Sequence, residues 1–130
     1  MSLISDFYSY VQKVGISKDD IHEEQGKGFQ LVSFGEEGER DVIYNVALLL
    51  YDDNDSVEIY IRKAIHEGDE LTVLRKLNAM NQEYCGVAFF KEDGLVSIKS
   101  YCKTGGNIEI AFRQLVQNMQ TAKTEFPKIN

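Results

Sequence analysis

The sequence predicts one α+β domain spanning residues 1–130, in which a mostly antiparallel, five-stranded sheet carries helices packed mainly on one face. Apolar residues recur at helical spacing near the start, the middle and the end of the chain. Between these segments, apolar and polar residues alternate as in strands that bury one face, and turn-forming residues separate neighbouring segments. The predicted order is α-β-β-β-α-β-β-α.

The first helix is expected to begin with Ser2 or Ser5 as its N-cap, to run to about Val14 and to end at Gly15. Residues 15–27 are polar and are predicted to form turns. Three strands should follow: FQLVSF (29–34), DVIYNVALLLY (41–51) and SVEIYIRK (56–63). The second is apolar on both faces near its end, which indicates a central strand. The polar segments GEEGER (35–40) and YDDND (51–55) should connect them.

Asp69 is expected to cap a second helix from Glu70 to about Gln82, with a broad apolar side made of the following residues: Leu71, Val73, Leu74, Leu77 and Met80. The segments GVAFFK (86–91) and LVSIKSY (95–101) should then form a hairpin, with Gly94 supplying the positive φ of its turn. A last helix is predicted from the N-cap candidate Asn107 to about Glu125.

Composition and charge restrict the class of partner. The net charge is −7 and the 14 basic residues are scattered, which argues against binding to nucleic acid or to an anionic membrane. No apolar tract is long enough for a membrane span, and the start MSLISDFYSY lacks the features of a secretory signal. These features favour a cytoplasmic protein, or one whose partner carries basic patches.

The motifs of common catalytic and metal sites were not found. The acidic turn at Asp52 fails the calcium-loop pattern, because Val57 stands where that loop needs glycine and Lys63 where it needs glutamate. His22 and His66 have no ligand-like spacing, and Cys85 and Cys102 are expected to be reduced thiols. We therefore predict no catalytic residue, no metal ligand and no cofactor.

A contact surface on the sheet is the stronger hypothesis. Both faces of the long strand carry large apolar side chains, which cannot all be solvated without exposing an apolar patch. Tyr60 lies between Glu58 and Arg62 on the polar side of its strand, a composition common at protein interfaces. The predicted partner-binding residues are Tyr44, Val46, Leu48, Glu58, Tyr60 and Arg62.

The segment LTVLRKLNAMNQEYCGVAFFKEDGLVSIKSY (71–101) resembles the helix-and-hairpin core of YbjN-like bacterial domains, with Leu77, Asn78 and Asn81 at the matching positions. The predicted order of elements, the small size and the acidic charge are similar to those of class I type III secretion chaperones. This resemblance implies a non-enzymatic protein that dimerises and holds an extended segment of a client protein. From the residues alone, Asn78 and Asn81 are interpreted as polar groups that help to end a helix.

The leading functional hypothesis is therefore a non-enzymatic, chaperone-like or regulatory domain, a homodimer that presents a sheet face or a hydrophobic groove to a protein partner. One alternative is an acidic inhibitor or immunity-type protein that blocks a basic partner. Another is a small ligand-binding domain or enzyme that uses tyrosines, a histidine or a carboxylate of Glu36, Glu37 or Glu39 in a pocket built by the fold.

Overall fold

A computed structural model of the protein describes residues 2–38, 40, 42–66 and 69–129. Within these residues the chain forms three α-helices and six strands. In chain order the elements are α1 (Leu3–Lys13), β1 (His22–Gln25), β2 (Gln30–Glu37), β3 (Ile43–Tyr51), β4 (Ser56–Ala64), α2 (Glu70–Glu83), β5 (Ala88–Glu92), β6 (Leu95–Lys103) and α3 (Glu109–Glu125). The α+β class and the positions of the three helices are thus as predicted.

The strands form one antiparallel sheet in the order β1-β2-β3-β4-β6-β5. The prediction of five strands was wrong, because β1 lies in the segment predicted to form turns. All four residues of β1 are polar and exposed, so it lacks the apolar alternation that marks a strand. Strand β2 also continues into GEEGER, where Glu36 pairs with Tyr44 and Glu37 with Ile43.

One face of the sheet is buried beneath the helices, and we call it the covered face. Its buried apolar strand residues are at most 3% exposed: Val32, Tyr44, Val46, Leu48, Leu50, Val57, Ile59, Ile61, Phe89, Val96 and Ile98. The pairing register aligns them in rows across the strands, as in the row Val46, Ile61, Ile98. Burial of these apolar side chains is the main stabilising contribution to the fold.

Helices α1 and α3 pack against each other on the covered face. Ser2 caps α1, and its hydroxyl accepts a bond from the Ser5 N–H at 3.3 Å. The Phe112 ring stacks on Phe7 and Tyr10, with centroid distances of 5.6 and 4.0 Å. These ring contacts join the first and last helices of the chain into one layer.

A buried polar contact ties α3 to the sheet. Asn118 is 1% exposed, and its amide donates to the Ser100 hydroxyl of β6 at 2.7 Å. Its carbonyl accepts a bond from the Gln114 amide at 2.8 Å. Because both polar groups of Asn118 are satisfied, the residue orients α3 on β6 without leaving an unpaired group in the core.

Helix α2 lies over β5 and buries a narrower stripe than the sequence predicts. Val73, Leu77 and Met80 are buried, whereas Leu71 and Leu74 are 54% and 46% exposed. The helix therefore has apolar side chains on its solvent side as well as on its core side. Periodicity marks both sets as apolar, but only packing against β5 decides which of them is covered.

Asn81 joins α2 to the outer strand of the hairpin. Its side-chain amide donates to the Phe89 carbonyl at 2.9 Å, and its carbonyl accepts from the Phe89 N–H at 2.7 Å. The side chain thereby occupies backbone groups that would otherwise be free on the edge of β5. Asn81 lies in the last turn of α2, which ends at Glu83, so its interpretation as a residue that helps to end the helix stays a prediction.

The β5–β6 hairpin confirms the predicted turn. Glu92 pairs with Leu95, and the two residues between them, Asp93 and Gly94, have φ angles of +50° and +77°. Positive φ at both positions is the backbone of the hairpin turn that matches the twist of the strands. Cys85, which precedes β5, and Cys102, which lies within β6, are both free thiols.

Candidate functional site

The face of the sheet opposite the helices carries the candidate site. Alternation along the paired strands places these residues on it: His22, Glu24, Leu31, Ser33, Gly35, Glu37, Ile43, Asn45, Ala47, Leu49, Tyr51, Ser56, Glu58, Tyr60, Arg62, Ala64, Ala88, Phe90, Glu92, Leu95, Ser97, Lys99, Tyr101 and Lys103. We call this surface the open face, since no α-helix of the described residues packs on it. Ile43 and Tyr101 are about half exposed, at 47% and 52%.

Four residues at the centre of the open face form a hydrogen-bonded cluster around one carboxylate. The Tyr51 hydroxyl donates to Glu58 Oε1 at 3.0 Å, and the Tyr60 hydroxyl donates to Glu58 Oε2 at 2.7 Å. The Lys99 ammonium lies 3.6 Å from the same Oε2. Adjacent strands create this arrangement, because Tyr60 is paired with Lys99 on β6. The cluster fixes the rotamers of two aromatic side chains on an exposed surface.

The cluster shifts the pKa values of its members. Burial alone would raise the pKa of Glu58, but the hydroxyls of Tyr60 and Tyr51 and the charge of Lys99 outweigh it and lower that pKa below its ordinary value. Burial, and then the bond to Glu58, raises the pKa of Tyr60. The bond to Tyr60 raises the pKa of Lys99. The carboxylate is therefore held ionised, as an anchor rather than as a proton donor or acceptor near neutral pH.

Arg62 lies beside this cluster without joining it. Its guanidinium is 5.2 Å from the centroid of the Tyr60 ring, and the Lys99 ammonium is 5.3 Å from the same centroid. Within the described residues, no carboxylate forms an ion pair with Arg62. Cations over an aromatic ring are attracted to its negative face. Tyr60 thus holds two cations as well as the carboxylate of Glu58.

The charge of the open face differs from that of the whole chain. Across the three strands β3, β4 and β6, its described charged residues are the cations Arg62, Lys99 and Lys103 and the single carboxylate of Glu58. The whole chain has a net charge of −7. The middle of the open face is therefore locally positive, whereas its outer strands carry the carboxylates of Glu24, Glu37 and Glu92.

The structure separates the six residues predicted to bind a partner. Glu58, Tyr60 and Arg62 lie together on the open face. Tyr44, Val46 and Leu48 each are 1% exposed on the covered face, beneath the helices. Paired residues on neighbouring strands lie on the same face of the sheet, and Leu48 pairs with Ile59, on the apolar side of β4. The two sets therefore lie on opposite faces. Tyr44, Val46 and Leu48 are core residues, and a surface in the folded chain cannot include them.

The other carboxylates and histidines named from the sequence do not converge on one pocket. Glu36 pairs with Lys123 of α3 at 2.5 Å, Glu37 ends β2 as an exposed residue, and Glu39 lies outside the described residues. His22 contacts Glu24 at 3.2 Å on the exposed strand β1, and His66 is exposed. In the part of the chain that is described, no group of three or more histidine, cysteine or acidic residues could hold a metal ion.

An apolar groove lies on the helix side of the molecule, between α1, α3 and β2. It encloses about 370 Å³ and is lined mainly by aromatic and aliphatic side chains, including Tyr10, Phe34 and Met119. The Glu36–Lys123 ion pair lines it as well. Val116 of α3 also lines this groove and is 57% exposed.

Sequence reasoning missed the part of the open face that comes from β6. Ser97, Lys99 and Tyr101 alternate with the buried residues Val96 and Ile98 in LVSIKSY, so the strand pattern itself carried the signal. What the pattern could not supply was the pairing of β6 with β4, which are separated by α2 and β5 in the chain. That pairing brings Lys99 to Tyr60 and Tyr101 to Glu58.

Comparison with known proteins adds no assignment: no protein-family model, no curated protein and no solved structure matches the chain. Of the helices in the described residues, none combines the length and the apolar character needed to cross a membrane.

Proposed function

We propose that this protein is a non-enzymatic protein-binding domain, chaperone-like or regulatory, that acts as a homodimer and presents its open face to a protein partner. The observation that supports this function is the ordered cluster of Tyr51, Glu58, Tyr60 and Lys99 on a sheet face without a helix over it. The resemblance to YbjN-like domains and secretion chaperones suggests the same class of function, and the chaperone-like version of the fold is part of this proposal.

The composition of the open face suits recognition of a protein surface. Tyrosine and arginine are enriched where binding energy concentrates in interfaces, because each combines a broad contact area with polar tips. Here the tyrosine hydroxyls of the cluster are already bonded to Glu58, at 3.0 and 2.7 Å. Side chains that are ordered before binding lose less conformational entropy when a partner docks.

The two edges of the sheet are less suited to binding than the open face. Strand β1 is four residues long, fully exposed and carries Glu23 and Glu24. At the other edge, Asn81 occupies the backbone N–H and carbonyl of Phe89. Short charged edges and covered edges are both ways in which proteins prevent the addition of a further strand. A partner is therefore expected to dock on the face of the sheet rather than to extend it.

Self-association is supported by apolar side chains away from the open face. Val14, Leu71, Leu74 and Val116 lie on or next to the helices and are 46% to 57% exposed. Large apolar side chains on a soluble protein often mark an interface. A second copy that covers part of this helix side would leave the open face of each chain available. Light scattering after gel filtration should then give about twice the chain mass of 14.8 kDa.

The partner-binding experiment compares variants of the open face with a matched control. A partner captured by the full chain is purified and its affinity measured for the parent, Tyr101→Ala, Tyr60→Ala and Gln117→Ala. Tyr101 is 52% exposed on the open face, whereas Gln117 is exposed on α3. We expect the tyrosine variants to bind at least about tenfold more weakly, as for hot-spot residues, and the Gln117 variant to bind normally. Equal affinities for all four proteins, or a monomeric mass at every concentration, would contradict the proposal.

The groove supports a second candidate function, the binding of a small apolar ligand. Its volume of about 370 Å³ falls within the range of small-molecule sites. Titration with an apolar fluorophore checks this: a saturable signal that Phe34→Ala reduces, with the fold retained, would favour ligand binding in the groove. The acidic-inhibitor alternative rests on net charge alone, since the middle strands of the open face carry Arg62, Lys99 and Lys103 against the single carboxylate of Glu58.

A further inference from the structure

Two polar groups on the open face are buried without a hydrogen-bond partner. Arg62 of β4 and Ser97 of β6 are directly paired across the sheet. Within the described residues, neither Arg62 Nε nor Ser97 Oγ forms a hydrogen bond, and both atoms are shielded from solvent. Ser97 as a whole is only 1% exposed. A buried polar group without a partner costs about 1–3 kcal/mol, so such groups are uncommon in folded proteins.

Both residues line one small depression. It encloses about 80 Å³ and lies at the end of the β5–β6 hairpin, where Leu95, Glu92 and Asp93 form the remaining wall. The ring of Tyr60 holds the Arg62 guanidinium at 5.2 Å from its centroid. The depression therefore brings a restrained guanidinium and a hydroxyl together, with the carboxylates of Glu92 and Asp93 beside them.

We propose that this depression binds one carboxylate of an acidic segment in the protein partner, an aspartate or glutamate side chain. The proposal rests on the function proposed above and states the chemistry of the partner. A guanidinium offers two parallel N–H donors with the spacing of a carboxylate's oxygens. The Ser97 hydroxyl can donate a third bond to the same group. Lys99, two residues from Ser97 on the same strand, adds positive charge next to the depression.

The walls of the depression favour a carboxylate over a phosphate. Glu92 and Asp93 line it together with Arg62, and they repel a group with two negative charges more strongly than a group with one. A volume of about 80 Å³ is also small for a phosphate with its first-shell waters. The same two carboxylates supply the competing explanation, in which Glu92 or Asp93 turns inward and pairs with Arg62.

Nuclear magnetic resonance of the full chain labelled with nitrogen-15 tests the proposal directly. The Nε–Hε signal of Arg62, assigned by its loss in Arg62→Lys, is followed during titration with acetyl-Ala-Asp-Ala-amide, with the matching Asn peptide and with inorganic phosphate. We expect a saturable shift with the Asp peptide at Kd of about 1 mM, and none with the Asn peptide. No shift by ~10 mM Asp peptide, ten times that Kd, or equal shifts with both peptides, would overturn the proposal. A larger response to phosphate would overturn the preference for a carboxylate.

Three variants separate recognition from structural roles. Ser97→Ala should weaken binding of the Asp peptide by about tenfold. It should not lower thermal stability, because the Ser97 hydroxyl has no partner to lose. Glu92→Gln should strengthen binding by removing a like charge, with Asp93→Asn behaving in the same way. If Glu92→Gln or Asp93→Asn instead shifts the Arg62 Nε–Hε signal of the free protein as strongly as the peptide does, an internal ion pair fills the depression and the proposal fails.

The purified partner distinguishes this inference from the proposed function. Arg62→Gln should bind the partner more weakly, as Tyr101→Ala does, while Gln117→Ala on α3 binds normally. Loss of partner binding with Tyr101→Ala, but full binding with Arg62→Gln, would refute carboxylate recognition and leave the open face as the binding surface. Full binding with both variants would refute the proposed function as well.

Discussion

The two faces of the sheet are built from neighbouring residues of the same strands and yet follow different physical rules. On the covered face, Ile61 and Ile98 are fully buried and pair across β4 and β6. One position away, Arg62 and Ser97 pair on the open face and bring polar groups together. The covered face is held by apolar burial, which is non-directional, whereas the open face is held by directed hydrogen bonds and charges.

This difference teaches that stability and recognition can be assigned to separate faces of one sheet. Apolar side chains under the helices tolerate little change of volume, because the interior is closely packed. Polar side chains on the open face can change with little cost to the fold, since most of them contact solvent on one side. The following predictions test whether the two faces separate in this way, beginning with the largest expected effect.

The adjacent residues Leu48 and Leu49 provide a matched pair across the sheet. Leu48 is 1% exposed on the covered face, and Leu49 is half-buried on the open face. Leu48→Ala should lower the free energy of unfolding by about 2–5 kcal/mol, because it leaves a cavity in the core. Leu49→Ala should cost about 1 kcal/mol. Urea denaturation measures the unfolding free energy of both variants. Equal losses of unfolding free energy would show that the open face is part of a core.

Loss of the contact between Asn81 and the edge strand β5 should have the next largest effect on stability. Asn81→Ala removes both bonds to Phe89 and leaves its backbone groups unpaired, which should cost about 1–3 kcal/mol in unfolding free energy. Asn78→Ala, an exposed position on the same helix, should stay within about 0.5 kcal/mol of the parent. Hydrogen exchange at the Phe89 amide should accelerate in the first variant alone. An unchanged exchange rate would mean that the edge is protected in another way.

The pKa of Glu58 reports the cluster on the open face. Since this pKa is lowered in the folded chain, the cluster contributes stability above the ordinary value of 4.5 and loses it as the pH falls through the folded-state pKa. Tyr60→Phe removes one bond at 2.7 Å, so the pKa of Glu58 should rise and the unfolding free energy at neutral pH should fall by about 0.5–1.5 kcal/mol. Carbon-13 titration of the Glu58 carboxyl measures this change of pKa. An unchanged pKa would exclude the hydrogen bond from Tyr60.

Tyr8 provides the corresponding test on the helix side. Burial, together with the hydrogen bond to Glu23 at 2.6 Å, raises the pKa of Tyr8 to about 12. Glu23→Gln removes the charge but keeps the burial, so the pKa should fall only part of the way towards 10.0. The ultraviolet absorbance of tyrosinate follows this titration, with Tyr8→Phe identifying the signal. A complete return to 10.0 would mean that Glu23, and not burial, is the main cause.

The strongly periodic elements could be predicted from the sequence, and the weakly periodic ones could not. Ser2 caps helix α1 and strand β4 alternates as expected, because each element buries one side against a single core. Strand β1 was missed since its residues are all exposed, and local pattern carries no signal for an exposed edge strand. The apolar excess of α2 marked Leu71 and Leu74 as core, although no part of the sheet lies beneath them.

The candidate site depended still more on long-range pairing. Glu58, Tyr60 and Arg62 were found from one strand, where alternation alone places them together. Their partners Lys99 and Ser97 come from a strand that follows α2 and β5 in the chain. A shift of pairing by one residue would have turned the other apolar side of β3 towards the helices.

The sequence by itself determined the α+β class, the three helices and the alternation that divides each long strand into an apolar and a polar side. These follow from local periodicity, since each residue's direction along a helix or strand is set by the backbone. Only the tertiary structure decided that Tyr44, Val46 and Leu48 lie in the core and that Arg62 meets Ser97. Both depend on strand register and on which face the helices cover, and these are fixed when the whole core packs at once.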